Sequence, residues 1–191
     1  MSLECGTNQR MSEELEVLKE VARRLEKSAI PYMITGSIAT NFYTTPRMTR
    51  DIDIVVELSE ADLRRFIPLF EADYYLEPET VRDAVRNKGM FNLIQNEYVI
   101  KVDFVVRKDS RYRRTEFSRR KKVFIDDQRL YFVAAEDLVL SKLVWAKDSR
   151  SELQLSDVRN LLKSVKGLHR RYLTRWVKEL GVESLYREVS K

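Results

Sequence analysis

The sequence has a single cysteine, Cys5, and a single histidine, His169. One cysteine excludes an intramolecular disulfide and any cysteine-based zinc cluster. One histidine leaves a Ser-His-Asp mechanism a single candidate base, far along the chain from any convincing nucleophile. On a basic helix such a residue reads as part of the surface. No apolar run reaches the length of a membrane span, and no signal-peptide pattern stands at the start. The expectation is a cytoplasmic protein with no membrane partner. Internal repeats and low-complexity linkers are absent as well.

What is present suits a folded domain. The 191 residues are enough for one domain with a modest extension, and the 43% apolar fraction is enough for a core. Charged residues make up 34% of the chain but are mixed in sign, which argues against wholesale disorder. The net charge of +5 favours a polyanionic partner such as a nucleotide or RNA.

The pattern along the chain is that of an α/β protein. Residues 1–11 carry no periodicity and read as a flexible N-terminal tail. Ser12 caps a helix whose Leu15, Leu18, Val21, Ala22 and Leu25 recur at helical spacing. Ile30 to Thr35 reads as a short strand closed by Gly36-Ser37, with a helix from Ile38 to Phe42. Asp51 to Glu57 alternates and then becomes continuously apolar, as a buried strand does. A helix capped by Ser59 is expected through Phe70, and another over Glu79 to Asn87. Met90 to Ile94 and Tyr98 to Val106 read as strands, as do Val123 to Ile125 and Leu130 to Val133. From Ala135 the pattern is helical, near 135–148, 153–165, 169–180 and from 182. Residues 12–134 thus read as an α/β core, a mixed β-sheet flanked by helices, and 135–191 as a C-terminal helical region.

Chemistry concentrates in Gly36-Ser37, followed after thirteen residues by Asp51-Ile52-Asp53. Residues two apart on a strand point the same way, so Asp51 and Asp53 project together. Parallel carboxylates repel unless a cation lies between them. Magnesium suits them, because it prefers hard oxygen ligands and shares them with phosphates. Gly36 lets the backbone approach a phosphate closely, and the Ser37 hydroxyl and following amides donate to phosphate oxygens. Asp103 is embedded in the apolar strand Val99 to Val106, where an unpaired charge is costly. It either completes a metal triad and takes a proton from an attacking hydroxyl, or lies at the strand's exposed edge. Lys142 interrupts an apolar helix, aimed into a cleft or snorkelling to the surface. Asp157 stands where it could cap a helix from Val158 to Val165. Arg47 is a candidate phosphate ligand.

Ile34-Thr35-Gly36-Ser37 with Arg47-Met48-Thr49-Arg50-Asp51-Ile52-Asp53 resembles the signature of the DNA polymerase β-like nucleotidyltransferase superfamily. The Arg-x-Thr-x-Asp-Ile-Asp form is similar to the AbiEii and MenT-like branch, which includes toxins of type IV toxin–antitoxin systems. Ala135 to Leu143 and Gln154 to Leu162 are similar to later helices of that branch. The resemblance covers roughly residues 30 to 165. It implies a nucleotidyltransferase fold and transfer of a nucleoside monophosphate from an NTP such as ATP to a hydroxyl acceptor. Asp51 and Asp53, with Asp103, would hold two Mg2+ ions. Gly36, Ser37 and Arg47 would bind the nucleotide, Lys142 would contact the triphosphate, and Asp157 would be a further acid. RNA or tRNA is the implied acceptor, and an antitoxin protein the implied partner. A small-molecule acceptor, as in aminoglycoside or lincosamide nucleotidyltransferases, is the alternative. A non-catalytic module binding nucleotide or a partner protein is the rival from another class.

Residues 107–122 hold nine basic residues against two acidic ones. Tyr112 and Phe117 among them suggest stacking on RNA bases. The other reading is a solvated connection between strands. Tyr172, Leu173, Trp176 and Leu180 follow helical spacing and are expected to pack on the α/β half.

Overall fold

The computed structural model describes residues 3–49 and 51–190, with side chains from residue 13 onward. Its strands are Tyr32–Ile34 (β1), Asp51–Val56 (β2), Tyr74–Tyr75 (β3), Met90–Gln95 (β4), Ile100–Val106 (β5), Lys121–Ile125 (β6) and Gln128–Phe132 (β7). Its α-helices are Leu3–Lys27 (α1), Gly36–Tyr43 (α2), Leu63–Phe66 (α3), Pro78–Asn87 (α4), Arg111–Ser118 (α5), Ala135–Ser149 (α6), Glu152–Ser164 (α7), Arg170–Glu179 (α8) and Glu183–Val189 (α9). The strands form one mixed sheet in the order β3-β4-β5-β2-β1-β7-β6.

Alternation sets which face of the central strands is buried. Ile52, Ile54 and Val56 of β2 are buried together with Val102, Phe104 and Val106 of β5. The intervening residues, Asp51, Asp53, Lys101 and Asp103 among them, stay half-exposed on the opposite face. The two strands pair in parallel with Asp51 opposite Lys101 and Asp53 opposite Asp103. β1 pairs antiparallel with β2 and parallel with β7. On the buried face Phe104 stacks on Phe91 and meets Phe66 edge-on. Burying each such ring is worth roughly 1.5–3 kcal/mol. Buried residues of the sheet and of α6 to α9 belong to one continuous core.

Four features differ from the sequence expectations. α1 begins at Leu3, within the stretch read as a flexible tail. The helix expected from Ser59 to Phe70 is broken into a 3-10 turn at Glu60–Asp62, the single turn α3, and a second 3-10 turn at Ile67–Leu69. Pro68 lacks the N–H that would extend the helical ladder. β3 is a two-residue addition at the sheet edge, paired with Gln95 and Ile94. The 107–122 connection contains a helix, α5, capped by Ser110, whose Oγ accepts the Arg113 N–H at 3.3 Å. Its buried stripe is only Tyr112, Glu116 and Phe117, too sparse among arginines to show a helical period.

Candidate active site

The site lies where the polar face of β2 and β5 meets the start of α2. Gly36 opens α2 with a φ of +62°, a left-handed conformation that glycine adopts without strain. The Thr35 N–H donates to the Asp53 carbonyl at 2.9 Å, which pins the turn to β2. The Asp53 carboxylate lies directly against Gly36 and accepts the backbone N–H of Ser37. Burial pushes the Asp53 pKa up, and the facing Asp103 carboxylate adds to it. The Ser37 amide and the Lys142 charge pull the other way without prevailing.

Asp51, Asp53 and Asp103 share one sheet face, but a lysine completes the group. Lys101 Nζ stands 2.8 Å from Asp103 Oδ2 and 3.7 Å from Asp51 Oδ1. Its pKa is raised, first by the hydrogen bond to Asp103. Among the described residues no three His, Cys, Asp or Glu side chains form a group that could hold a metal. The facing pair Asp53 and Asp103 does suit a divalent cation in its chemistry. Both donors are hard oxygens, and their repulsion is one that a cation between them relieves.

A second charged group closes the other wall. Asp157 sits mid-helix in α7 and is 2% exposed, so it does not cap the helix. Its Oδ2 accepts from Lys142 Nζ at 2.8 Å and from Arg47 at 3.0 Å, and Arg47 Nε reaches Oδ1 at 3.2 Å. Burial would raise the Asp157 pKa, but the hydrogen bonds and charges of Arg47 and Lys142 outweigh it and hold the carboxyl below the usual range. Lys142 is 3% exposed and also donates to Gln154 Oε1 at 3.1 Å, so it is a buried ion pair and not a snorkelling lysine. Arg47 extends the chain of contacts by donating to Ser37 Oγ at 2.9 Å. The polar groups converge on a cleft of about 180 Å³ lined by Gly36, Ser37, Asp53 and Lys142, with Met90 and Trp145 as an apolar rim.

No family model matches the chain, and no curated protein matches it by sequence. Solved structures do match. Antibiotic-resistance factor ANT(2'')-Ia aligns over 94% of this chain and 95% of its own, at 11% identity and a TM-score of 0.58. The lincomycin-bound lincosamide antibiotic adenylyltransferase LnuA aligns over 80% of this chain and 97% of its own, at 15% identity and a TM-score of 0.54. The chain has a nucleotidyltransferase fold. An antigenic nucleotidyltransferase-like protein from Paracoccidioides brasiliensis shares that fold at 17% identity and a TM-score of 0.52, over 79% of this chain and 75% of its own.

Within the nucleotidyltransferase fold, Gly36, Ser37, Arg47, Asp53, Lys142 and Asp157 form one connected group, and Asp51 stands beside it with Lys101 and Asp103. Lys101 and Gln154 were not singled out in the sequence. Lys101 carries a signal there, since it lies two residues before Asp103 and must share its face. Gln154 carries none. The basic segment reads differently once folded. Tyr112 and Phe117 are 4% and 5% exposed, so neither is free to stack on a base. Arg113 is turned inward to Glu116 and Ser141, and Arg119 to Glu136 and Asp137. His169 caps α8, its Nδ1 accepting the Tyr172 N–H at 3.0 Å. Among the described residues no helix is long and apolar enough to cross a membrane.

Proposed function

We propose that the protein transfers a nucleoside monophosphate from an NTP to a hydroxyl acceptor. The observation that carries this reading is Asp53, set in register beside Asp103 and held against the Gly36 turn, in a cleft that the buried Lys142 also lines. Asp53 and Asp103 would hold Mg2+, which when bound would neutralise the triphosphate and favour the ionised hydroxyl, while Asp51, which completes no three-acid metal group among the described residues, would add charge beside them. Ser37 and Lys142 line the cleft, where they would donate to phosphate oxygens. Arg47, tied to Asp157, positions Ser37. In the reaction the acceptor oxygen bonds to the α-phosphorus while the bond to the bridging oxygen breaks. Pyrophosphate leaves, and Asp103 takes the hydroxyl proton.

Two acceptors fit this chemistry. The toxin-like branch points to RNA or tRNA, with an antitoxin as partner. The burial of Tyr112 and Phe117 favours the second reading, a small hydroxylated molecule, because it removes the stacking platform on which the RNA surface depended. The test is incubation with each α-labelled NTP and Mg2+, alongside total RNA or a panel of aminoglycosides and lincosamides. Label moves to one acceptor class with wild type and to neither with Asp53→Ala. Equal behaviour of the two proteins across all acceptors leaves a non-catalytic binding module.

A further inference from the structure

The acids of this site already contain a cation. Lys101 projects from β5 on the same face as Asp103, opposite Asp51 on β2, and its ammonium bonds Asp103 Oδ2 at 2.8 Å. Among the described residues, the basic groups of the opposite wall are engaged elsewhere, since Lys142 and Arg47 share the Asp157 carboxylate. We propose that Lys101 is a resident counter-ion which a divalent metal must displace from Asp103 and Asp51, so that metal loading is coupled to nucleotide binding.

The charge balance supports this. Asp51, Asp53 and Asp103 carry three negative charges when ionised, and Lys101 neutralises one in place. A divalent ion needs the same carboxylate oxygens and gains little while the ammonium holds them. The lysine stem is flexible and 39% exposed, so the ammonium is able to leave Asp103 for another anionic partner. A bound triphosphate offers it new oxygen partners. Nucleotide therefore lowers the cost of releasing Asp103, and by linkage metal and nucleotide strengthen each other's binding. The lysine acts through the carboxylates as a positioning residue.

This inference rests on the nucleotidyltransferase reading, and one experiment separates the two. Mn2+ binding to the full chain is measured by electron paramagnetic resonance and calorimetry, with and without a non-hydrolysable NTP analogue. Without nucleotide, Lys101→Met binds Mn2+ about ten-fold more tightly than wild type, and the analogue tightens wild type more than the variant. Lys101→Gln repeats the gain, Lys101→Arg keeps weak wild-type binding, and Lys108→Met, a control for bulk charge, changes nothing. Equal Mn2+ affinity in wild type, Lys101→Met and Lys101→Gln overturns the proposal while leaving the nucleotidyltransferase reading intact. A gain in Lys101→Arg or Lys108→Met equal to that in Lys101→Met also overturns it. Absence of Mn2+ binding in every protein, with or without the analogue, removes both.

Discussion

A Cβ added to Gly36 would lie 1.9 Å from Asp53 Oδ2 and 2.7 Å from Asp53 Cβ. The turn and the acid therefore occupy a space that admits no side chain at position 36, and the φ of +62° there adds its own penalty for any other residue. Gly36→Ala should lower stability by about 1–3 kcal/mol through overpacking and backbone strain. It should lower nucleotidyl transfer by about 100-fold, because the carboxylate has to move. Urea unfolding and labelled-NTP transfer, measured on the same preparation, check both effects.

Asp53 predicts an opposition between stability and activity. Burial and the facing Asp103 already disfavour its charge, as its raised pKa records. A group of this kind destabilises the folded state once pH rises above its unfolded pKa and it ionises. Asp53→Asn should therefore unfold at a higher temperature than wild type at pH 7, and the gap should shrink at pH 4. The same variant should have no transfer activity. Calorimetry at the two pH values decides it, and a lower midpoint for the variant at pH 7 contradicts the reading.

Asp157 behaves in the opposite way. Its carboxyl is held below the usual range by Arg47 and Lys142. Its contribution is complete above the unfolded pKa of about 4 and is lost as pH falls through the folded value. Asp157→Asn strands the buried Lys142 charge and should cost about 3 kcal/mol at pH 7. Between pH 5 and pH 2 wild type should lose stability more steeply than the variant, as read from denaturant midpoints across that range.

Tyr112 and Phe117 carry a prediction about RNA. Both belong to the core beneath α5, and Tyr112 packs against Trp176 with ring centres 5.0 Å apart. Replacing either with alanine should cost about 3–5 kcal/mol of stability. Affinity for RNA per folded molecule should not change. Filter binding at matched folded fraction tests this, and a selective loss of RNA binding would restore the stacking role.

Much of the site could be read from parity alone. Asp51, Asp53 and Asp103 fall on one face because a strand repeats every two residues, and the surrounding Ile and Val residues mark the buried side. The glycine-serine turn is equally local. Pairing between distant segments is not local, and there the sequence was silent. Nothing in the order of residues joins Arg47 to Asp157, because α7 has to fold back across the start of α2 before they meet. Lys101 lies within β5, and a lysine inside an apolar strand carries no mark of its partner. Its role becomes visible only when the register sets it against Asp51. The α5 helix was hidden by composition, since arginines dominate a segment whose inward side chains number only a few.

Asp157 lies 110 residues after Arg47, so α7 leaves a ribosome long after Arg47 and the acids of β2. Translation delivers the carboxylates first and their distal clamp much later. Until α7 arrives, Arg47, which donates to Ser37, lacks the carboxylate that holds it, and Lys142 lacks its buried partner. A nascent chain that stops short of α7 therefore leaves the Arg47–Asp157–Lys142 cluster open.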